Sequence, residues 1–161
     1  MNNLTNYTYN NTDFFSLENN IIIGRIVDIY DGDTCTCIIP FNNNYYKFHV
    51  RLNGIDTYEL KSKNIKYKNL AVQAKKKLSS LILNFDISED KLSRKILRKL
   101  LNEKCYLVKI KCGKFDKYGR LLAYLFNYDN NDLSLENSFN NLLLNEKLAY
   151  VYNGDTKENI N

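Results

Sequence analysis

The chain has 161 residues, of which 44% are hydrophobic and 25% are charged, a composition that can bury one core and excludes a disordered chain. No apolar run approaches the roughly 20 residues of a membrane span, which excludes a transmembrane protein. The net charge of +5 is uneven, because residues 60–120 hold 18 of the 23 Lys and Arg but 5 of the 18 Asp and Glu. This basic half indicates either a polyanionic partner or a solvated, lysine-rich surface.

Both ends of the chain are predicted to lie outside the folded domain. Residues 1–20 are rich in Asn and Thr and are predicted to be a disordered tail. They contain no basic segment followed by an apolar stretch, so no secretory signal is expected. A second tail is predicted over residues 154–161, which leaves one domain over residues 21–153. Without a signal, and with thiols that we expect to be reduced, an intracellular setting is favoured.

The first part of this domain predicts three strands. Residues 21–30 form an apolar, β-branched run that ends at an Asp-Gly turn. Two alternating runs follow on either side of an Asn-rich turn at residues 42–44, which is the pattern of a hairpin. Alternation in the third strand places Val50 and Leu52 on the core face and His49 and Arg51 on the other face. Arg51 is therefore expected to lie outside the core.

Four cysteines, at positions 35, 37, 105 and 112, follow no metal-finger spacing. Cys35 and Cys37 are two residues apart on one predicted strand, so their side chains lie on the same face. We expect both to fill the core as small apolar residues. A zinc site is the alternative, but His49 is the only histidine and belongs to the opposite strand face.

Helices and further strands are predicted after residue 60. They are helices over 67–82, 84–104 and 135–145, strands over 105–112 and 121–126, and a closing segment over 148–152. The helices are predicted from apolar residues at helical spacing and the strands from alternation in polarity. In the second helix, Asp86 and Glu89 have the spacing of a capping box.

Three polar motifs are candidates for chemistry: Asp-Gly-Asp-Thr at 31–34, Arg-Leu-Asn-Gly-Ile-Asp-Thr-Tyr-Glu at 51–59 and Asp-Lys-Tyr-Gly-Arg at 116–120. Folding of the hairpin brings the first two together. Asp33 and Asp56 can then share one hard cation, because calcium accepts oxygen ligands from separate loops. Each motif also has a simpler interpretation. These are an Asp-Gly turn without function, a surface ion pair between Arg51 and Glu59, and a contact of Arg120 with a helix end.

In this order, the three motifs resemble the staphylococcal nuclease (thermonuclease-like) family over residues 22–153. The resemblance implies an α+β fold that is mainly β, with a five-stranded OB-type Greek-key barrel and about three helices. It also implies a calcium-dependent nuclease that hydrolyses phosphodiester bonds of DNA and RNA and leaves 3′-phosphate ends. The segment over 84–104 looks longer than the connection expected in the family and is interpreted as an inserted helical segment.

The metal-binding and water-activating residues of the family match positions in this chain. The resemblance assigns Asp33 and Asp56 as calcium ligands through their carboxylates, and Thr57 through its backbone carbonyl. It assigns Glu59 as the general base or as the group that orients the attacking water. Tyr58 departs from the family, which usually has proline before this glutamate. Because proline restricts the backbone, the loop that carries Glu59 is expected to be looser here.

The resemblance also implies contacts to phosphate and nucleotide. Arg51 and Arg120 match the two arginines that clamp the phosphate, a role that suits the planar guanidinium group. Residues that match positions near a terminal phosphate or the nucleotide are Lys117, Tyr118, Tyr150 and Tyr152. The chain contains 13 tyrosines, so a structural role for Tyr150 or Tyr152 is the alternative.

The expected partners are DNA and RNA, with no membrane partner, and the chain is expected to be a monomer. Single-stranded regions are favoured because an aromatic face beside a basic groove suits unstacked bases. The alternative function is a nucleic-acid-binding module on the same barrel with weak or no catalysis. The presence of Arg51, Glu59 and Arg120 together favours the enzyme.

Overall fold

The computed structural model describes residues 3–88 and 93–154. Its strands and α-helices, in chain order, are β1 (Ile21–Ile29), β2 (Thr34–Phe41), β3 (Asn44–Leu52), β4 (Ile55–Thr57), α1 (Ile65–Leu83), α2 (Arg94–Glu103), β5 (Leu107–Phe115), β6 (Leu121–Asn127), α3 (Phe139–Asn145) and β7 (Ala149–Val151). Single turns of 3₁₀ helix lie at Asn3–Asn6 and Leu135–Asn137.

Five strands close into a barrel in the order β1, β2, β3, β6, β5, and β5 pairs with β1 to complete the ring. These pairings are antiparallel except that of β3 with β6, which is parallel. Alternate apolar side chains point into the barrel, where Ile26, Ile39, Val50 and Leu125 are fully buried. With α1, α2 and α3 packed around this sheet, the predicted α+β fold of the OB type is confirmed.

The turn between β2 and β3 sets the register that organises the site. Asn42 and Asn43 have φ angles of 49° and 59°, a left-handed backbone that Asn adopts more readily than most residues. The resulting register pairs Thr34 with Arg51. The end of β3 therefore lies beside the Asp-Gly-Asp-Thr turn, as the predicted hairpin requires.

Helix α1 has a cap at each end and buries one face. The Asn64 side chain accepts hydrogen bonds from the backbone N–H groups of Lys66 and Tyr67. The helix ends at Asn84, whose φ of 56° is left-handed. It thus extends slightly beyond the predicted 67–82. Neither α1 nor another helix within residues 3–88 and 93–154 is long and apolar enough to cross a membrane.

The predicted helix over residues 84–104 is correct only in its second half. Helix α2 begins at Arg94, and the Ser93 hydroxyl accepts a hydrogen bond from the Ile96 N–H at 3.2 Å. Asp86 is not helical, so the proposed capping box does not start this helix. Its other member, Glu89, lies outside the described residues. Serine is a strong N-cap, which explains why the helix begins after Ser93.

The predicted helix over residues 135–145 is divided in two. A 3₁₀ turn over Leu135–Asn137 comes first, and α3 begins at Phe139. Between them, the Ser138 hydroxyl accepts a hydrogen bond from the Asn141 N–H at 3.1 Å. Serine hydroxyls favour such caps over helix interiors, so an apolar pattern alone could not place this boundary.

The prediction of a disordered tail over residues 1–20 is wrong at its C-terminal end. Leu17 is buried in the core. The Asn19 N–H donates to the Cys112 carbonyl, and the Cys112 N–H donates to the Asn20 carbonyl, both at 2.9 Å. Residues 17–20 therefore extend the pairing of the barrel. Of the predicted tail over 154–161, only Gly154 lies within the described residues.

Three of the cysteines lie in the barrel core. Cys35 is 1% exposed and Cys37 is fully buried, which confirms the predicted packing role of both. Their sulfur atoms are 4.0 Å apart. Burial raises the pKa of the Cys112 thiol to about 11, so this group stays protonated at neutral pH.

Helix α2 is attached to β1 through a buried carboxylate. Asp28 accepts hydrogen bonds from Arg94 Nε, at 3.1 and 3.0 Å to its two oxygens, and from Arg98 Nη2 at 3.0 Å. Burial alone would raise the Asp28 pKa, but the hydrogen bonds and charges of the two arginines outweigh it and lower the pKa to about 2. Burial lowers the pKa of Lys75 on α1, while the Asp31 and Asp28 carboxylates oppose this fall.

Asp28→Asn is expected to lower the free energy of unfolding by at most about 2 kcal/mol at neutral pH, because solvent screens the half-exposed arginines. The folded-state pKa is depressed from 3.8 to about 2, so this contribution is present above pH 3.8 and disappears as the pH falls to about 2. Urea denaturation of both proteins across this range measures the difference. Asp129→Asn, at an exposed position, is the control. A difference in unfolding free energy between Asp28→Asn and the parent that persists at about pH 2 would contradict the stabilising role of the ionised Asp28.

Candidate active site

Arg51, at the end of β3, is buried between two carboxylates. Its Nη1 lies 3.0 Å from Asp33 Oδ2, and its Nη2 donates to Asp56 Oδ1 at 2.8 Å. Nη1 also donates to the Ile55 carbonyl at 3.2 Å. The side chain lies on the predicted face of β3, but that face is covered, and Arg51 is 7% exposed. A surface ion pair therefore does not describe this arginine.

Asp33 and Thr57 connect the turn after β1 to β4. The Thr57 N–H and hydroxyl donate to Asp33 Oδ2 at 2.7 and 2.9 Å. Burial and then the nearby Asp31 carboxylate raise the Asp33 pKa, while Arg51 and Thr57 oppose the rise. The cluster contains two buried carboxylates, Asp33 and Asp56, and one guanidinium, Arg51. It therefore has a surplus of negative charge when all three groups are ionised.

Gly32 allows this turn to lie against α1 and β4. A Cβ atom at this position would lie 2.6 Å from the Ala74 Cβ and 3.0 Å from the Thr57 Cγ2. The first distance is too short for any side chain. The glycine of the Asp-Gly-Asp-Thr motif is thus needed for close packing around Asp33.

Tyr150 reaches the same carboxylates from β7. Strands β4 and β7 pair antiparallel with Asp56 opposite Tyr150, and the Tyr150 hydroxyl donates to Asp56 Oδ2 at 2.9 Å. Burial, followed by the hydrogen bond to Asp56, raises the Tyr150 pKa well above its ordinary value. The hydroxyl therefore remains a donor. This geometry supports the structural alternative for Tyr150, as a residue that positions Asp56.

Asp33, Asp56 and Thr57 offer oxygen atoms, the kind of ligand that a hard cation prefers. Asp33 Oδ2 already accepts two hydrogen bonds from Thr57 and contacts Arg51 Nη1, whereas Asp33 Oδ1 accepts one hydrogen bond, from the Thr34 hydroxyl, and keeps a lone pair for a ligand bond. Calcium takes roughly six to eight oxygens, which leaves positions for water and substrate. Within residues 3–88 and 93–154, no group of three or more His, Cys, Asp or Glu side chains could hold a metal. The fit rests on two carboxylates, a backbone carbonyl and the surplus of negative charge.

Arg51 also lines a cavity of ≈ 530 Å³, which we call the Arg120 pocket. The other polar residues that face it include Asp116, Lys117, Tyr118, Arg120 and Tyr152. Arg120 Nε donates to Asp116 Oδ2 at 2.7 Å, and the Arg120 Cζ lies 5.4 Å from the centre of the Tyr118 ring. The pocket thus brings together the two predicted phosphate-binding arginines and three of the four predicted substrate-binding residues.

The turn that carries Arg120 is held by Asp116. Its Oδ1 accepts hydrogen bonds from the backbone N–H groups of Tyr118 and Arg120, both at 2.9 Å. Gly119 has a φ of 80°, a conformation that L side chains rarely adopt. Arg120 therefore contacts the carboxylate of its own turn, and not a helix end as the simpler interpretation of the motif suggested.

Glu59 lies exposed in the loop after β4, and it is not among the described residues that line the Arg120 pocket. Its carbonyl accepts a hydrogen bond from the Ser62 N–H at 3.0 Å. The preceding Tyr58 stacks on Tyr67 with ring centres 4.8 Å apart, and it meets Tyr150 edge-on at 5.4 Å. Aromatic packing thus restrains the loop in which the family usually has proline.

Asn140, on α3, is a supporting residue that the sequence analysis missed. Its Nδ2 donates to the carbonyls of Asn53 and Ala123 at 2.9 and 3.0 Å, and its Oδ1 accepts from the Leu125 N–H at 3.2 Å. It is 1% exposed and joins α3 to β6 and to the β3–β4 turn. The signal for this residue in the sequence was its position next to Phe139, in a helix that was predicted from its apolar face.

The sequence is similar to known proteins over most of its length. The staphylococcal nuclease homologue family matches residues 49–161, a range that includes Arg51, Asp56, Glu59 and Arg120 and begins after Asp33. An uncharacterized protein from Methanocaldococcus jannaschii is 29% identical over 155 residues, which is 91% of this chain and 67% of that relative.

Proposed function

Because the chain belongs to the staphylococcal nuclease homologue family, we propose that it is a calcium-dependent nuclease that hydrolyses phosphodiester bonds of DNA and RNA and leaves 3′-phosphate ends. The observation that carries the proposal is the position of Arg51. This side chain contacts the Asp33 and Asp56 carboxylates and also lines the Arg120 pocket. A phosphate in that pocket would therefore lie next to the oxygen atoms that suit calcium.

Hydrolysis of a phosphodiester requires stabilisation of the charge that develops on the phosphate oxygens in the transition state. In our proposal, Arg51 and Arg120 bind these oxygens, a task that suits the guanidinium fork. Asp33, Asp56 and the Thr57 carbonyl would hold calcium, which supplies Lewis-acid stabilisation of the phosphate. Glu59 accepts a proton from the attacking water or orients it.

Single-stranded nucleic acid is the proposed substrate form. Lys117 is proposed to bind a terminal phosphate, and its ammonium lies 5.1 Å from the centre of the Tyr118 ring. Tyr118 is 72% exposed and Tyr152 lines the same pocket, so both rings are available to stack on unpaired bases. A paired duplex would not present its bases to these rings.

The second candidate function is a nucleic-acid-binding module with weak or absent catalysis. The observation that favours it is that Arg51 is already hydrogen-bonded to Asp56 and ion-paired with Asp33. If Arg51 must leave one of them to reach a phosphate, the rearrangement reduces the catalytic rate. Binding of nucleic acid through Arg120, Lys117 and the tyrosines would be unaffected.

Purified protein is expected to cleave single-stranded DNA and RNA in calcium and to lose this activity in a chelator. Magnesium is expected to support cleavage poorly, because it demands stricter octahedral geometry than calcium. Gel analysis measures cleavage, and mass spectrometry of the products identifies the 3′-phosphate. Asp56→Asn should abolish activity, whereas the exposed Asp129→Asn should not. Equal rates in calcium and chelator would contradict the metal assignment, and binding without cleavage would favour the second candidate function.

A further inference from the structure

A second cavity, of ≈ 560 Å³, adjoins the Arg120 pocket and is here called the Arg94 pocket. The two cavities share Tyr118 and Arg120 as lining residues. The remaining polar side chains of the Arg94 pocket include Tyr30, Thr36, His49 and Arg94. Each volume is within the range of roughly 300–1,000 Å³ that small-molecule sites occupy.

The Arg94 guanidinium is held in place before any ligand binds. Asp28, which is buried, accepts hydrogen bonds from its Nε and Nη2 atoms. The Tyr30 ring lies beneath the guanidinium, 5.1 Å from Arg94 Cζ. Within the described residues, Nη1 makes no hydrogen bond, and the side chain is 42% exposed. A cationic donor fixed in this way loses little conformational entropy when it binds an anion.

The lining of the Arg94 pocket favours an anion. Two guanidinium groups, from Arg94 and Arg120, face it, and no carboxylate is among its described lining residues. Tyr30, Thr36 and His49 add polar side chains, and the Thr36 hydroxyl is hydrogen-bonded to His49 Nδ1 at 3.3 Å. Because Tyr118 and Arg120 line both cavities, a polyanion that crosses these two residues would reach both.

We propose that the Arg94 pocket binds the phosphodiester group of the nucleotide next to the one held in the Arg120 pocket. The substrate is then a single strand longer than a dinucleotide, and α2 provides the wall that extends the site. This inference rests on the function proposed above. The inference also gives a role to the segment over 84–104, which is longer than expected in the family. Helix α2 lies in this segment, and Arg94 is its first residue.

Arg94→Gln and Arg98→Gln form a matched pair of variants that tests this inference. Both arginines lie on α2 and bind Asp28, and each variant removes one positive charge. Of these two arginines, only Arg94 lines the Arg94 pocket. Affinity is measured by fluorescence anisotropy in a chelator, where cleavage is not expected, for an oligothymidylate of about ten nucleotides and for a dinucleotide.

Arg94→Gln is expected to weaken binding of the oligothymidylate about tenfold, as loss of a charged hydrogen bond does. The slope of log K against log salt should fall by about 0.7, the value for one phosphate contact on a single strand. Dinucleotide binding should be unchanged, and Arg98→Gln should resemble the parent with both probes. These results would support the inference.

Two outcomes would overturn the inference. Equal losses in Arg94→Gln and Arg98→Gln would show that α2 acts only through its overall charge or its packing. An equal loss with the dinucleotide would show that Arg94 acts on the Arg120 pocket. If the parent binds neither probe, the proposed function itself fails, which is a distinct result. If Arg94→Gln does not fold, the double variant Asp28→Asn, Arg94→Gln also removes the buried Asp28 charge that Arg94 would leave behind, and it should show the same loss of affinity.

Discussion

Glu59→Gln is expected to lower kcat on single-stranded DNA by ~10²–10⁴, the usual effect of losing one positioned acid-base group. The substitution keeps the shape of the side chain and removes its charge. Asp33, Asp56 and the Arg120 pocket are unchanged, and Glu59 is not among the described residues that line that pocket. Affinity for the strand should therefore equal that of the parent. Single-turnover kinetics and fluorescence anisotropy in calcium measure the two quantities separately.

The exposed Glu136→Gln serves as the matched control for Glu59→Gln, because it removes the same charge outside the lining of the Arg120 pocket. It should leave both kcat and affinity unchanged. Unchanged kcat in Glu59→Gln would show that this residue has no part in water activation. A loss of affinity equal to the loss of rate would instead show that Glu59 supports binding and not chemistry.

Arg51→Gln is expected to lower the free energy of unfolding by about 3–5 kcal/mol in a chelator, the typical cost of removing one partner from a buried ion pair. The substitution leaves the Asp33 and Asp56 carboxylates buried without their guanidinium. Calcium should restore part of this loss, because a cation that binds only the folded state stabilises it. Urea denaturation with calcium and with a chelator measures both effects, and cleavage activity should also be lost.

Arg120→Gln is the control for Arg51→Gln. Its ion pair with Asp116 is partly exposed, with 32% of the Arg120 side chain accessible, so its loss should change stability little. Activity should fall in both variants. A similar loss of stability in both would contradict the distinction between a buried and a partly exposed arginine. Absence of any calcium effect on Arg51→Gln would contradict the location of the cation site.

The sequence predicted the barrel strands well because alternation in polarity is a local property of each strand, whereas the closed barrel was expected from the family resemblance. It also placed Arg51 on the correct face of β3. It could not predict that this face is covered, because the residues around Arg51 come from separate segments that only the tertiary fold brings together. Asp33 precedes Arg51, Asp56 follows it on a three-residue strand, and Tyr150 is far away in the sequence. Such short strands have no readable periodicity.

In the segment between α1 and β5, the sequence pattern could not predict where the second helix begins. Its apolar residues favour helix over 84–104, but Asn84 takes a left-handed conformation and Ser93 caps a shorter helix. Both Asp86 and Ser93 belong to residue types that cap helices, and the pattern alone could not choose between them. The contact of Arg94 with Asp28, which lies on β1, is a tertiary interaction that no local pattern encodes.

The pairing of β4 with β7 determines when the candidate site can form during synthesis. Asp56 and Tyr150 are 94 residues apart, and β4 lies in a two-stranded sheet with β7. Contacts of such long sequence separation form late, because the loop between them must close first. A nascent chain that has not yet emerged as far as Tyr150 therefore lacks a finished carboxylate cluster. The proposed nuclease activity would therefore begin only after Tyr150 has been translated.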